Sequence, residues 1–331
     1  MKEAMFWVRE KNEAVRCNLC PHHCTIAEGN RGICNVRENR DGTLYSIIYG
    51  KSASLAVDPI EKKPLYHFHP GTSVLSFGTM GCNFNCNYCQ NASLSCGDPD
   101  SSFMREYTVD EMVFRSLDYN GIAWTYNEPS INYEFTYDVS KSLKEKGEGY
   151  VVYVTNGFME IAPLKRISPY LDAMNIDIKA FHKDFYKKIV GGKLKPVLET
   201  TKKAVELGIH VELTYLVVPG YNDDAEELRG FCEWIKNDLG EDTVTHFSRF
   251  HPDHNMRDVH ATPSKKMKEA RKIAKKVGLN FVYLGNLPAE NDTICPNCGK
   301  KIVTRSYFSS GRVHLDDGRC PRCGREIPII T

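Results

Sequence analysis

An α/β fold built on a parallel sheet, either a barrel or a doubly wound sheet, is predicted by the middle of this chain, and two observations predict it. Seven short, apolar and often β-branched runs, at 74–79, 122–126, 151–155, 173–178, 211–218, 244–250 and 281–284, read as strands buried on both faces. Helical patterns lie between them at 132–146, 196–207, 224–239 and 264–277. In either architecture ligands gather beyond the carboxyl ends of the strands. The unusual polar residues of this chain fall there.

Ahead of the strands stand Cys17, Cys20, Cys24 and Cys34, with His22 and His23 as alternative ligands. Four thiolates suit a closed zinc site or an auxiliary iron-sulfur cluster, and ligand count does not choose between them. Zinc would staple the N-terminal segment, whereas iron-sulfur would relay electrons. The first strand leads into Cys82, Cys86 and Cys89, spaced C-x3-C-x2-C. A closed 4Fe-4S cluster takes four thiolates, so three leave one iron free to bind something else. Residues 71–97 contain no Asp, Glu, Lys, Arg or His, as the lining of a buried pocket would. Cys96 and Cys232 stand outside these groups, and Cys232 reads as a small buried apolar residue.

Further strands end in chemistry-bearing residues. Glu128 follows the second, Asn156 the third, Asp177 and Lys179 close the fourth, and His251 follows the sixth. The last residues change character, with the knuckles Cys295-Pro296-Asn297-Cys298-Gly299 and Cys320-Pro321-Arg322-Cys323-Gly324 around a short β-like insert. Two C-x2-C knuckles supply four thiolates to one tetrahedral site, a zinc-ribbon pattern that a rubredoxin-like iron centre shares. Three parts are therefore expected: a Cys-rich module over 1–70, a core over 71–290 and a four-cysteine module over 291–331.

Composition agrees with an enzyme core. The 331 residues are 41% hydrophobic and 26% charged, enough for one large core and one or two small modules. A formal net charge of +1 argues against a polyanion partner, and the basic run over 265–276 reads as the wet face of a helix. Nucleic acid is thus unsupported. No stretch of about 18 apolar residues suggests a membrane span, and the first residues hold no apolar signal core. Thirteen cysteines without such a signal point to metals in a cytoplasmic protein, not to disulfides.

At the residue level the cluster motif, with Tyr88 just before Cys89, resembles the signature of the radical S-adenosylmethionine (SAM) superfamily. In that superfamily the amino and carboxylate groups of SAM chelate the open iron, and reductive cleavage yields methionine and a 5′-deoxyadenosyl radical that abstracts a hydrogen. Tyr126-Asn127-Glu128-Pro129 resembles the Gly-Gly-Glu-Pro element of pyruvate formate-lyase activating enzymes, which binds the SAM amino group; Asn127 replaces its second Gly. Thr155-Asn156-Gly157 and Asp177-Ile178-Lys179 resemble the next elements, where an Asp and a Lys hold the SAM carboxylate, and Val154 stands where an acid would serve a monovalent cation. Val217 to Tyr221 resembles the fifth-strand element, and His251 sits where the family places a SAM-contacting histidine. Over nearly its whole length the chain is similar to the radical enzymes of the AmmeMemoRadiSam system, through 17–24, 36–39, 56–64, 246–253 and 285–287.

The resemblance implies a partial (β/α)6-type TIM barrel. It also implies a 4Fe-4S cluster on Cys82, Cys86 and Cys89, with SAM placed by Tyr88, Asn127, Glu128, Thr155, Asn156, Asp177, Lys179 and His251. An electron donor such as ferredoxin or flavodoxin would drive hydrogen abstraction from a substrate that the sequence leaves unnamed. Activation of a glycyl-radical protein is the second reading, and the terminal module leaves a macromolecular substrate open. The competing class is a non-catalytic adaptor with three structural zinc sites, which iron content separates from the enzyme.

Overall fold

The computed structural model describes residues 1–147 and 149–331. Its centre is an eight-stranded sheet whose strands lie side by side in chain order: β1 (Ser54–Pro59), β2 (Ser73–Gly78), β3 (Gly121–Trp124), β4 (Tyr150–Thr155), β5 (Ala173–Asp177), β6 (His210–Val217), β7 (Val244–Arg249) and β8 (Val282–Gly285). Strands β2 to β8 are parallel, and β1 runs antiparallel to β2 from Ser54 opposite Gly78 to Pro59 opposite Ser73. The crossover helices are α1 (Val109–Leu117), α2 (Tyr133–Glu145), α3 (Ile161–Ile167), α4 (Leu194–Glu206), α5 (Ala225–Asp238) and α6 (Ser264–Val277). Six βα units and a closing strand make the expected partial barrel, with β1 and β8 as its open edges.

Three elements were not expected. Helix α1 carries a local signal, the capping box in which Thr108 Oγ1 accepts from Glu111 N at 3.2 Å and Glu111 Oε2 accepts from Thr108 N at 2.9 Å. Helix α3 is seven residues long with a proline inside, too short for a helical period to show. Strand β1 joins the main sheet from within the segment assigned to the N-terminal module, so the core sheet begins ahead of position 70. The rest of that segment forms short antiparallel strands, including Trp7–Arg9, Val15–Cys17 and Thr25–Ile26, around the first four cysteines.

Alternation along β6 shows how the barrel is filled. Leu213, Tyr215 and Val217 pack in the main apolar core, while Thr214 and Leu216 line the interior cavity. Lower down, residues 60–68 enter the barrel, where Ile60, Leu65 and Phe68 pack against Val74, Ala123, Tyr150, Val152 and Ala173. This plug is held by Glu212 of β6, which is fully buried. Its carboxylate accepts from Tyr66 N at 2.9 Å, His67 N at 2.7 Å and His246 Nε2 at 2.7 Å, with His210 Nε2 at 3.1 Å. The terminal four-cysteine module covers the seam, as Cys295, Ile302, Val303, Cys320 and Ile327 pack on Tyr66, Val244, Phe281 and Tyr283.

Burial works against a charge on Glu212, but the hydrogen bonds from His210 and His246 outweigh it and hold the carboxyl below its usual range. Its stabilising contribution is therefore complete above the ordinary Glu value of 4.5 and is lost as pH falls below it. His67 behaves differently, since burial lowers it to about 3 and keeps it neutral between Tyr283 Oη at 2.7 Å and the Pro328 carbonyl at 3.1 Å. Below the ordinary His value of 6.5 the unfolded chain takes up a proton that the fold refuses, so this group makes stability fall as pH drops. Glu212→Gln, which leaves a buried donor facing His246, should lower unfolding free energy at pH 7 by about 3–5 kcal/mol in chemical denaturation. A loss under about 1 kcal/mol would show that the plug is held by its apolar contacts alone.

Candidate active site

At the carboxyl ends of the strands lies a cavity of about 520 Å³. Cys82, Cys86, Tyr88 and Cys89 from the β2–α1 loop line the cavity, as do Asn127 and Glu128 after β3, Thr155 and Asn156 at the end of β4, and Asp177 and Lys179 at the end of β5. Every expected cofactor-binding residue but one meets here. The exception is His251, which is exposed and outside the lining. After β7, Thr262 bonds Phe250 N through its hydroxyl at 3.0 Å and Arg249 Nε through its carbonyl at 2.7 Å, and His251 follows on the exposed side of that turn.

Several of these side chains are struts. Asn127 Oδ1 accepts from Thr79 N at 3.1 Å and its amide donates to the Gly81 carbonyl at 2.8 Å, so the residue that departs from the Gly-Gly pattern braces the cysteine loop. Asn156 Nδ2 donates to Asn83 Oδ1 at 2.8 Å and lies 3.8 Å from Cys82 Sγ. Asn85 N and Asn87 N donate to the carbonyls of Val190 and Ile189 at 2.9 and 3.0 Å, which pins the other end of the loop. Gly81, at φ +89°, admits no side chain, because a Cβ there would sit 2.6 Å from the Cys34 carbonyl oxygen.

Glu128 is buried and accepts from Ser130 N at 2.9 Å, Thr155 Oγ1 at 2.8 Å and Asn156 N at 2.8 Å. Burial raises its carboxyl above the ordinary value despite those bonds. A carboxylate offers about four acceptor positions, so one remains for a cationic donor in the cavity. Lys179 Nζ donates to Asp177 Oδ2 at 2.8 Å. Burial opposes its charge, yet the Asp177 carboxylate holds the ammonium above its ordinary value. An acid with a free acceptor position and an ammonium–carboxylate pair suit the two charges of an amino-acid group. The Tyr88 hydroxyl is buried in the same wall and has no hydrogen-bond partner among the described residues.

The thiols fit a multi-iron cluster. Burial raises Cys82 well above its ordinary value and Cys86 to about 12, so a cation is what makes thiolates of them. Among the described residues, only Cys295, Cys298, Cys320 and Cys323 gather ligand atoms within 4.8 Å of one another. There Cys295 Sγ and Cys323 Sγ are 3.6 Å apart, as are Cys298 Sγ and Cys320 Sγ, close to the spacing of about 3.8 Å around one tetrahedral zinc. Cys17, Cys20, Cys24 and Cys34 line a second, smaller cavity. Cys96 is exposed, and Cys232 is buried on the core face of α5.

A group to which sequence reasoning gave no role reaches the same cavity through Lys62, Lys63 and Tyr126. Asp58 accepts from Lys62 Nζ and Lys63 Nζ at 2.7 Å and from Tyr126 Oη at 2.6 Å, and Lys63 Nζ stands 4.5 Å above the Tyr126 ring. Burial lowers Lys63 to about 8, with Asp58 opposing the shift. Tyr126 holds a left-handed backbone at φ +70°, a strained conformation for an aromatic residue. Residues 56–64 and 126–129 stand out in the sequence only as stretches resembling the family, and the Asp58–Lys62 spacing is one that any exposed turn of helix shares. Asn175, Thr214, Ser248 and Asn286 complete this end of the cavity.

The four-cysteine geometry predicts about one zinc per chain that the double variant Cys298→Ser/Cys323→Ser loses, together with a lower melting temperature. Elemental analysis and a thermal melt of both proteins check it. Iron in place of that zinc, with rubredoxin-like absorption, would overturn the assignment.

Comparison with known proteins places this geometry. A family model described as the radical SAM superfamily matches residues 77–232. An uncharacterized protein of Methanocaldococcus jannaschii is 47% identical over 336 residues, covering 100% of both chains. A pyruvate formate-lyase-activating enzyme of Clostridium pasteurianum is 27% identical over 230 residues, which are 63% of this chain and 92% of that enzyme. Among solved structures, a radical SAM methyltransferase from Sphaerobacter thermophilus has a TM-score of 0.50 at 15% identity, covering 69% of this chain and 72% of its own. Streptococcus suis SuiB bound to its precursor peptide SuiA has a TM-score of 0.51 at 11% identity, over 68% and 51% of the two chains. These structures share the fold.

Proposed function

The chain belongs to the radical SAM superfamily, and we propose that it cleaves SAM reductively at a 4Fe-4S cluster held by Cys82, Cys86 and Cys89, for hydrogen abstraction from a substrate in the same cavity. The observation that carries this reading is that the three thiols, Glu128 and the Asp177–Lys179 pair line one cavity. When bound, the cluster and SAM together supply a 5′-deoxyadenosyl radical and methionine.

The chain's own residues bind and orient. Glu128 offers its remaining acceptor position to the SAM amino group, and Lys179, steadied by Asp177, meets the SAM carboxylate. Tyr88 offers its unpartnered hydroxyl to the same ligand. Thr155, Asn156 and Asn127 position Glu128 and the cysteine loop without needing to touch the cofactor. The plug over 60–68 closes the barrel from below, which limits the water that would quench a radical. His251 stays outside this set.

We assign an N-terminal Cys-rich unit to 1–70, with β1 lent to the barrel, the core to 71–290 and the terminal unit to 291–331. No helix among the described residues is long and apolar enough to cross a membrane, and we place the protein in the cytoplasm, served by a ferredoxin- or flavodoxin-type donor. Activation of a glycyl-radical protein is the second reading, supported by the relative named as a pyruvate formate-lyase-activating enzyme.

Anaerobic reconstitution should give broad iron-sulfur absorption, and dithionite plus SAM should release 5′-deoxyadenosine. Lys179→Met should weaken SAM binding by about 10- to 150-fold, as loss of a charged hydrogen bond does, while cluster absorption stays. Cys86→Ala should abolish both absorption at that cluster and product. Reconstituted protein that binds iron at Cys82, Cys86 and Cys89 yet forms no 5′-deoxyadenosine would refute the reading.

A further inference from the structure

We propose that Cys17, Cys20, Cys24 and Cys34 hold a second, closed iron-sulfur cluster that passes single electrons to the catalytic cysteine loop beside it. The four line one cavity of about 20 Å³, together with Arg37 and Asn83. A single zinc draws its thiolates to about 2.3 Å from the centre and leaves no space for a water-sized sphere among them, whereas this cavity has that space. The terminal module gives the internal comparison. There the chain closes four sulfurs to within 4.8 Å, and among the described residues the N-terminal four do not form such a group. Four ligands for four irons leave no open iron, so the group suits electron transfer and not substrate binding.

Arg37 supplies an independent sign of an anionic occupant. It is 1% exposed, its two terminal nitrogens are taken by Glu134 and the Ile131 carbonyl, and its Nε has no partner among the described residues. It lines the cavity beside the cysteines, where an N–H donor and a positive charge offset the negative charge of a four-thiolate cluster.

The module touches the catalytic loop on both sides of Cys82. His22 Nε2 lies 2.7 Å from the Asn83 carbonyl, and the Cys34 carbonyl packs on Gly81 so closely that no Cβ would fit. Asn83 lines the N-terminal cavity while Cys82 lines the main one, so the wall between them is one stretch of backbone. Ile33, 62% exposed, brings the outer side of the N-terminal cavity to the surface, where a donor protein can reach it. The balance is simple. The ferredoxin- or flavodoxin-type donor loses one electron, the N-terminal cluster gains it, and the same electron passes to the cluster on Cys82, Cys86 and Cys89, with no bond made or broken at the N-terminal irons.

The relay rests on the proposed SAM cleavage, whereas the cluster itself does not. After anaerobic reconstitution the wild type should hold about eight irons and eight sulfides per chain, and Cys82→Ala/Cys86→Ala/Cys89→Ala should keep about four of each. A second zinc and no iron in that triple variant would overturn the site, even if variants of the N-terminal cysteines fail to fold. In Cys20→Ala/Cys24→Ala, 5′-deoxyadenosine formation driven by ferredoxin or flavodoxin should fall at least about 10-fold further than formation driven by dithionite. An equal fall with both donors would remove the relay and leave the cluster. About four irons in the triple variant, with no 5′-deoxyadenosine from the wild type, would sink the proposed function and not this site.

Discussion

A barrel that does not close must be stoppered from inside, and the carboxylate of Glu212 holds the stopper. It takes two consecutive backbone N–H groups, those of Tyr66 and His67, and two imidazoles, which is as many donors as a carboxylate accommodates. With the chain fixed there, Ile60, Leu65 and Phe68 fill the lower barrel, and Lys62, Lys63 and Pro64 become one wall of the cavity. The terminal module depends on the same contact. Arg305 stands over the Tyr66 ring at 4.6 Å and reaches the Tyr66 carbonyl at 2.5 Å, and Phe68 pairs with Ile330. The four-cysteine knuckles therefore close the seam of the barrel and are not a pendant domain.

The upper end is ordered by a second polar network. Glu128, Thr155 and Asn156 tie β3 to β4, and Asn156 and Asn127 then reach the loop at Asn83 and Gly81. Each of these groups is satisfied by another strand end or by the cysteine loop. A buried network that is satisfied in this way has one arrangement, because breaking any member leaves a desolvated polar group worth about 1–3 kcal/mol. The cysteine loop thus inherits the rigidity of the sheet, although it has almost no regular structure of its own.

What the sequence disclosed follows from where each signal resides. The parallel strands, α2, α4, α5 and α6 were legible because burial on two faces and helical amphipathicity are written into contiguous residues. The cysteine sets, Glu128, Asp177 and Lys179 were legible because metal ligation and strand-end position leave local patterns. Strand β1 was not, since its residue types run against its faces: the apolar Val57 is exposed and the charged Asp58 is buried. Glu212 was hidden for a different reason: one acid inside an apolar strand looks like an exception until the backbone of residues 66 and 67, far away in sequence, supplies its donors. The exposed position of His251 was not legible, because position after a strand says nothing of the turn that follows, where Thr262 bonds Phe250.

The same division runs through the cavity itself. Its thiol side is built from β2 to β5, where short motifs each bring two or three functional groups, and this side suits a cofactor whose shape does not vary. Its other side is assembled from single residues of distant segments: Lys63 from the plug, Tyr126 in a strained conformation, and Asn175, Thr214, Ser248 and Asn286 from β5 to the loop after β8. The stretches that carry most of these residues show in the sequence one at a time, but their meeting does not, because each member is held by tertiary contacts of its own. Asp58 couples the two, since it fixes both Lys63 and the residue that precedes Asn127-Glu128. The Lys63 side of the cavity is therefore one carboxylate away from the backbone that carries Glu128, and the plug that closes the barrel also shapes that wall.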